Sequence, residues 1–335
     1  MSGIVSDPAL VGIEAIRAAA RLLDGVALRT PLIVFGRPEE RRFLKAESLQ
    51  PIGAFKIRGA YVAVASLSDD ERSRGVITYS SGNHAQGVAR AARLRGATSV
   101  VVMPSDVPAI KRERVAADGA EIVIVGTASD ERREVAERLA AERGLSVIPP
   151  FDDDRVIAGQ GSIGLEIAES LPDVRAVLVP IGGGGLVSGV AAAIRALVPG
   201  ARVIGVEPEL AADARDSLAA GRIVAWSADA VSRTIADGTR TQAVGKRTFA
   251  HIAALVDSII TVSEAEIAAA VRLAAEESRL VVEPSGALSI AALAFRAAEL
   301  GLDRGDGPVV AVVSGGNVDP ARYLEFLRSP VPQRG

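Results

Sequence analysis

The sequence predicts an α/β protein with two parallel-sheet units, and two observations lead there. Short Val-, Ile- and Leu-rich runs bounded by turn residues alternate with helical stretches, the pattern of βαβ crossovers, and they do so in two separate series. Aromatic residues are only 3% of a chain that is 49% hydrophobic. Ala, Val, Leu and Ile must therefore fill the core, which suits helices packed on buried parallel strands. A chain of 335 residues has room for two such units.

Taking the elements in order, Asp7-Pro8 can cap and open a first helix, because Asp accepts backbone donors and Pro fits the first turn. Its apolar pattern runs to Leu23. The arginine-rich patch from Pro38 to Arg42 reads as a solvated turn. Strands are expected at 76–79, 99–103, 122–125 and 146–149, separated by helices near 85–95, 109–118 and 129–143, which makes a compact βαβ subdomain. The second series places strands at 176–180, 202–206, 258–262 and 309–313, with helices such as 161–170, 186–197, 264–277 and 285–300 between them.

The 38 basic and 41 acidic residues leave a formal charge of -3. That balance offers no electrostatic footprint for nucleic acid or an anionic membrane, so the expected partner is a small molecule. No Cys is present, which excludes disulfides, thiolate metal sites and cysteine nucleophiles. The first eight residues show no basic-then-apolar leader, and no uncharged apolar run reaches spanning length. A cytoplasmic location is expected.

Lys56 carries the chemistry. It lies in Gly53-Ala54-Phe55-Lys56-Ile57-Arg58-Gly59-Ala60, among apolar and small residues. A desolvated ammonium loses proton affinity, so such a lysine can present the free amine that attacks a carbonyl, and it then needs a carbonyl cofactor. The strand-like run at 176–180 leads into Gly182, Gly183, Gly184 and Gly185 and an apolar helical stretch from Leu186, a natural phosphate cradle. Amine and cradle together suggest pyridoxal phosphate held in a cleft between the two units.

Two further strand ends carry polar groups. Ser80-Ser81-Gly82-Asn83-His84 sets hydroxyls, an amide and backbone N–H groups at a helix start, either for a substrate carboxylate or as an ordinary capped turn. Ser314-Gly315-Gly316-Asn317 presents a hydroxyl that could meet a pyridine nitrogen, or is simply a glycine-rich loop. A neutral hydroxyl there would not hold that nitrogen protonated, which favours routes that expel a leaving group promptly.

These segments, with Ala85-Gln86-Gly87 and Ala158-Gly159-Gln160-Gly161, occur in the order found in fold-type II pyridoxal phosphate enzymes of the tryptophan synthase β-like fold. The chain resembles, specifically, the threonine/serine dehydratases and serine racemases, over nearly its whole length. The resemblance implies a large cofactor-binding domain from 1–67 and 152–335 and a small mobile domain from 75–148.

It also implies roles. Lys56 would bind the cofactor through its amine and work on the substrate Cα proton, with Phe55 beside the ring. Asn83 would bond the ring hydroxyl, the glycines at 182–185 the phosphate, and Ser314 the ring nitrogen. Gly238 would line the ring and Glu283 border its polar edge. Ser80, Ser81, Asn83, His84 and Arg133 would receive the substrate carboxylate. Glu207, Asp213 and the Ala211 carbonyl resemble a site for Mg²⁺ or Ca²⁺, although two acids in a strand-to-helix turn also read as solvated surface.

The implied activity is removal of water and ammonia from L-threonine or L-serine to give the 2-oxo acid, by a homodimer or homotetramer. Ser81 keeps racemisation and 3-hydroxyaspartate dehydration open, because Ser at this position resembles those branches and can act opposite Lys56. Pro149-Pro150-Phe151-Asp152 resembles the dehydratases instead. The short stretch after Asn317 leads us to expect no C-terminal regulatory domain and no feedback by isoleucine there. A dinucleotide-binding unit is disfavoured, since Val187 stands where its third glycine belongs. A non-catalytic amino-acid sensor would leave Lys56, Ser81, Asn83 and Ser314 without work.

Overall fold

The computed structural model describes residues 9–80, 82–105, 107, 109–126, 129–303 and 306–333. The chain runs through α1 (Ile13–Leu22), β1 (Leu32–Val34), β2 (Arg42–Ala46), α2 (Lys56–Ala65), α3 (Asp69–Arg74), β3 (Val76–Tyr79), α4 (Asn83–Leu94) and β4 (Ser99–Pro104). There follow α5 (Ala109–Ala117), β5 (Glu121–Val125), α6 (Ser129–Arg143), β6 (Ser146–Val147), α7 (Asp154–Ser170), β7 (Ala176–Pro180), α8 (Gly185–Leu197) and β8 (Arg202–Pro208). The last third holds α9 (Asp213–Ala220), α10 (Ala228–Ser232), α11 (Lys246–Leu255), β9 (Ser258–Val262), α12 (Glu264–Ser278), α13 (Pro284–Phe295), β10 (Val309–Val313) and α14 (Pro320–Leu327).

Two sheets result. The larger has the order β1-β2-β10-β7-β8-β9, and the smaller β5-β4-β3-β6. Every pairing is parallel except β1 with β2. In the larger sheet the strands are apolar on both faces, because helices cover both. Leu178, Ile204 and Ala311 point to the side of α12 and α13, while their neighbours Val177, Val203 and Val310 point to the side of α8. In the smaller sheet Ile77, Val100 and Val102 pack under α6, and Val101 and Met103 under α4 and α5.

The helices that join the sheets approach closely. A Cβ on Gly159 of α7 would stand 2.6 Å from the Cα of Gly59 on α2, so only glycine lets the two backbones meet there. This contact seats α2, and with it Lys56, against the long helix α7.

Several expected boundaries shift. Asp7 and Pro8 lie outside the described residues, and α1 begins only at Ile13 after Gly12. The segment before it is held otherwise: Val11 N–H donates to Nε2 of buried His251 at 2.9 Å. Helix α7 starts at Asp154 rather than near 161, because Asp153 accepts the Arg155 and Val156 amides as a cap. Helix α13 stops at Phe295, short of 300. Arg42 does not belong to a turn but begins β2, with its side chain 13% exposed. A short 3-10 turn at Pro38–Glu40 and Arg41 at φ 49° precede it.

Candidate active site

The site lies along the carboxyl ends of the parallel strands, where open α/β sheets present their loops. β2 leads to Lys56, β3 to Ser80, β7 to the four glycines, β8 to Glu207 and β10 to Ser314. The loop before Lys56 is strapped to the loop after β10: Phe55 N–H donates to Ser314 O at 3.0 Å and Gly316 N–H to Gly53 O at 2.9 Å.

Lys56 opens α2. Its side chain is partly accessible from the cleft, but the amine is surrounded by protein and burial pushes its pKa down to about 8. Nζ donates to Pro150 O at 2.8 Å and lies 5.0 Å from the centroid of the Phe55 ring. No carboxylate pairs with it among the described residues.

The glycine loop is an anion cradle by its own geometry. Gly184 takes φ 92° before the first turn of α8, a conformation that side chains disfavour. Among the described residues no acceptor stands opposite the amides of Gly182, Gly183, Gly184 and Gly185, and unpaired amides at a helix N-terminus bind phosphate. The loop is braced from behind. A Cβ on Gly183 would fall 2.1 Å from the Phe151 ring. Thr248 Oγ1 donates to Gly183 O at 2.7 Å, and Asp152 accepts the Arg247 and Thr248 amides at the start of α11. Pro150, Phe151 and Asp152 therefore join the amine to the cradle in one short stretch. The sequence marked that stretch but not its bracing role.

Beside the cradle, Gly238 N–H donates to Ser285 Oγ at 2.8 Å, and a Cβ on Gly182 would come 3.4 Å from Gly238 O. Ser314, 6% exposed, donates at 3.4 Å to Ser285 O. Glu283 is buried, and desolvation, added to by the charge of Asp237, lifts its carboxyl to about 8. It is thus largely protonated at neutral pH, and Asn83 Nδ2 donates to its Oε1 at 2.7 Å.

On the smaller sheet, Gly82 N–H donates to Ser80 Oγ at 3.3 Å, and no side chain caps the first turn of α4. His84 is 2% exposed. Burial and the nearby Lys56 charge push it down to about 3, so it is neutral, with Nε2–H donating to Ile148 O at 3.0 Å. Its ring then has only an acceptor nitrogen left, and what His84 can offer a carboxylate is its backbone N–H. Arg133 sits on the exposed face of α6, 4.0 Å from Glu137, close enough for its charge to act on Tyr79 at the end of β3. Ser81 lies outside the described residues.

An amine at about 8, four open glycine amides and the Asn83, Ser314 and Glu283 side chains form a donor set that fits pyridoxal phosphate. The comparison with protein families agrees: residues 24–315 match the model for "Pyridoxal-phosphate dependent enzyme". The chain belongs to this family. Its two-sheet architecture is the fold-type II arrangement.

The L-threo-3-hydroxyaspartate ammonia-lyase of Saccharomyces cerevisiae is 44% identical over 286 residues, 85% of each chain. The L-threonine ammonia-lyase of Thermotoga maritima is 42% identical over 316 residues, 92% of this chain and 76% of that one. The solved structure of maize serine racemase superposes with a TM-score of 0.88 at 36% identity, covering 95% of this chain and 97% of the other.

A second polar cluster lies at the end of β8. Glu207 accepts the Ala214 and Arg215 amides at 3.0 and 2.8 Å. Asp213 is 1% exposed, with neither carboxylate oxygen in a hydrogen bond of good geometry. Burial lifts Asp213 to about 7, with its own and the Val244 amide moderating the rise, and burial lifts Glu207 well above the usual range. A buried carboxylate such as Asp213, whose oxygens find no well-placed donor, beside a second buried carboxylate, Glu207, fits a cation. With the Ala211 carbonyl and water they offer the all-oxygen set that Mg²⁺ or Ca²⁺ prefers. Among the described residues no group of three or more His, Cys, Asp or Glu side chains is arranged to hold a metal ion. None of the helices there is long and apolar enough to cross a membrane.

Proposed function

We propose that this chain is an ammonia-lyase that takes L-threonine or L-serine to the 2-oxo acid and ammonia with loss of the β-hydroxyl. The observation that carries the reading is the Lys56 amine, tuned to about 8 with no carboxylate partner and set in one stretch with the glycine cradle. Bound there, pyridoxal phosphate supplies an aldehyde and a conjugated ring that draws electrons from the substrate Cα. Lys56 Nζ would be the base that takes the substrate Cα proton; an amine with a pKa of about 8 suits that transfer at physiological pH. The amides at 182–185 would hold the phosphate, while Ser80 and the α4 amides would hold the substrate carboxylate. The Ser314 hydroxyl leaves the ring nitrogen without a formal charge partner, which favours prompt elimination.

A second reading, serine racemisation with side dehydratase activity or threo-3-hydroxyaspartate dehydration, is favoured by Ser81, and its dehydratase form by the 44% identical yeast relative. We further propose a Mg²⁺ or Ca²⁺ at Glu207, Ala211 and Asp213, and a homodimer or homotetramer, checked by light-scattering mass. The deciding experiment supplies the holoenzyme with L-threonine, L-serine and L-threo-3-hydroxyaspartate and measures 2-oxo acid, ammonia and D-serine. Highest kcat/KM on threonine or serine is the expected result; a preference for hydroxyaspartate or net D-serine formation moves the assignment to the second reading. No turnover of any of them would overturn both.

A further inference from the structure

Helix α5 of the smaller unit reaches across to residues carried by the larger one at two points. Lys111 Nζ pairs with Asp237 Oδ2 at 2.7 Å. One turn on, Arg114 Nη1 donates to Asn317 Oδ1 at 2.6 Å. Asn317 then uses its amide fully: Nδ2 donates to Ile52 O and to Asn83 Oδ1, both at 2.8 Å. Asn83 Nδ2 in turn donates to Glu283 Oε1. The loop that carries Lys56 makes room for this arrangement, since a Cβ on Gly53 would fall 2.5 Å from Asn317 Oδ1.

The chemistry of the ends fixes the sense of the whole chain. A guanidinium only donates, so the atom of Asn317 that faces it must be the oxygen; the Ile52 carbonyl only accepts, so it must face the nitrogen. Asn317 is thereby barred from flipping, and it presents an N–H to Asn83, which must answer with its oxygen. Asn83 is left with Nδ2 turned toward Glu283 and a second Nδ2 proton that has no acceptor among the described residues. Hydrogen bonds from a charged donor are the stronger kind, so Arg114 holds the first link most firmly.

We infer that Arg114 is a positioning residue for the cofactor: acting through Asn317, it locks the amide of Asn83 so that its free N–H is aimed at the ring hydroxyl. The inference rests on the proposed role of Asn83 toward pyridoxal phosphate. It adds a residue on a helix that contributes no group to the reacting atoms, and it makes the ring contact depend on α5 lying against the larger unit.

The test compares R114M, R114K, N317A and R114M/N317A with the unaltered holoenzyme. Two readouts are taken, the equilibrium constant for pyridoxal phosphate loss and the position of the bound cofactor's visible band, with melting temperature as a control. R114M should weaken cofactor retention about five- to tenfold, the scale of the one neutral hydrogen bond from Asn83 that it positions, and shift the band. R114K, which keeps a donor, should stay within about twofold. In the N317A background R114M should add nothing, because its only route is gone.

Equal loss from R114M with and without Asn317, or no change in retention and band, overturns the inference. If R114M proves unstable, an R114K variant as weak as N317A does the same. An unaltered protein that retains no pyridoxal phosphate would instead overturn the proposed function, so the two failures are distinct.

Discussion

Lys56 and Arg58 stand two residues apart at the start of α2, and the protein treats their charges in opposite ways. Arg58 is 1% exposed and fully satisfied: Nε and Nη2 donate to Glu47, Nη1 and Nη2 to Glu166, and further bonds run to Ser162 Oγ and Leu28 O. Lys45 completes the cluster, donating to Glu166 at 2.5 Å and to Thr30 O at 2.6 Å. Burial works against the Arg58 charge, but Glu47 and Glu166 override it and its pKa rises. Lys56 suffers the same burial with no carboxylate in reach, and its pKa falls. Two cations and two carboxylates make a neutral, rigid footing, and on that footing one amine is left unpaired so that it can react. The difference separates a buried charge that holds structure from one that does chemistry.

The sharpest way to break this contrast is to remove each cation in turn. K56A should lower turnover at least about 10³-fold, the scale of losing a positioned base that also anchors the cofactor, without lowering the apoprotein's melting temperature, since it removes a buried unpaired charge. Turnover within tenfold of the unaltered enzyme would refute the role given to Lys56. R58M should do the reverse. Lys45 still answers Glu166, but leaving Glu47 buried without its guanidinium costs about 3–5 kcal/mol, read as a lower denaturant midpoint with unchanged slope. Partial recovery in R58M/E47L would show that the unpaired carboxylate, rather than the lost guanidinium, does the damage. A denaturation midpoint for R58M equal to the unaltered protein's would dissolve the comparison.

The same contrast explains what was legible in the sequence. The parallel strands of both series could be read because they are continuous aliphatic runs with both faces covered. The 121–125 and 202–208 strands were placed to within a few residues. The β1–β2 hairpin went unread because β2, Arg42-Phe43-Leu44-Lys45-Ala46, carries two cations; Lys45 finds its partners Glu166 and Thr30 only through the fold, while Arg42 pairs with Glu40. At the site, single residues that must be what they are for local reasons stood out, such as Lys56 in an apolar setting and glycines at a strand end. Residues that act only through distant partners did not. Asp152 holds the amides of α11 from 94 to 96 positions away, and Arg114 reaches Asn317 across 203. No local spacing encodes such pairs.

Asp213 is the carboxylate counterpart of Lys56, a buried group without an oppositely charged partner among the described residues, and it extends the comparison to a smaller effect. If a divalent cation answers it, chelation of the holoenzyme should lower the melting temperature and added Mg²⁺ or Ca²⁺ should restore it. Saturation at a hundred times Kd contributes about 2.7 kcal/mol, or roughly 4 °C for a chain of this size. D213N should abolish the response to added cation. A melting temperature indifferent to chelator and to both cations would leave Asp213 as a buried neutral acid and remove the proposed site.

The smallest effect distinguishes Lys56 from Arg58 by titration. In the folded apoprotein the amine loses its proton near 8, against 10.5 for an ordinary lysine. Only the neutral amine can capture the aldehyde of pyridoxal phosphate. The rate of capture, followed by the growth of the visible band in stopped flow, should therefore rise about tenfold per pH unit below 8 and level off above it. The sign for stability follows from the same shift. Between about 8 and 10.5 the unfolded chain binds a proton at this position that the folded one does not, so Lys56 makes apoprotein stability rise with pH across that window, and below it the penalty is fully present. Arg58 stays charged throughout and contributes no slope. A capture rate still climbing tenfold per unit at pH 9.5 would mean that Lys56 is as well solvated as any surface lysine. The amine would then lack the tuning on which the contrast with Arg58 depends.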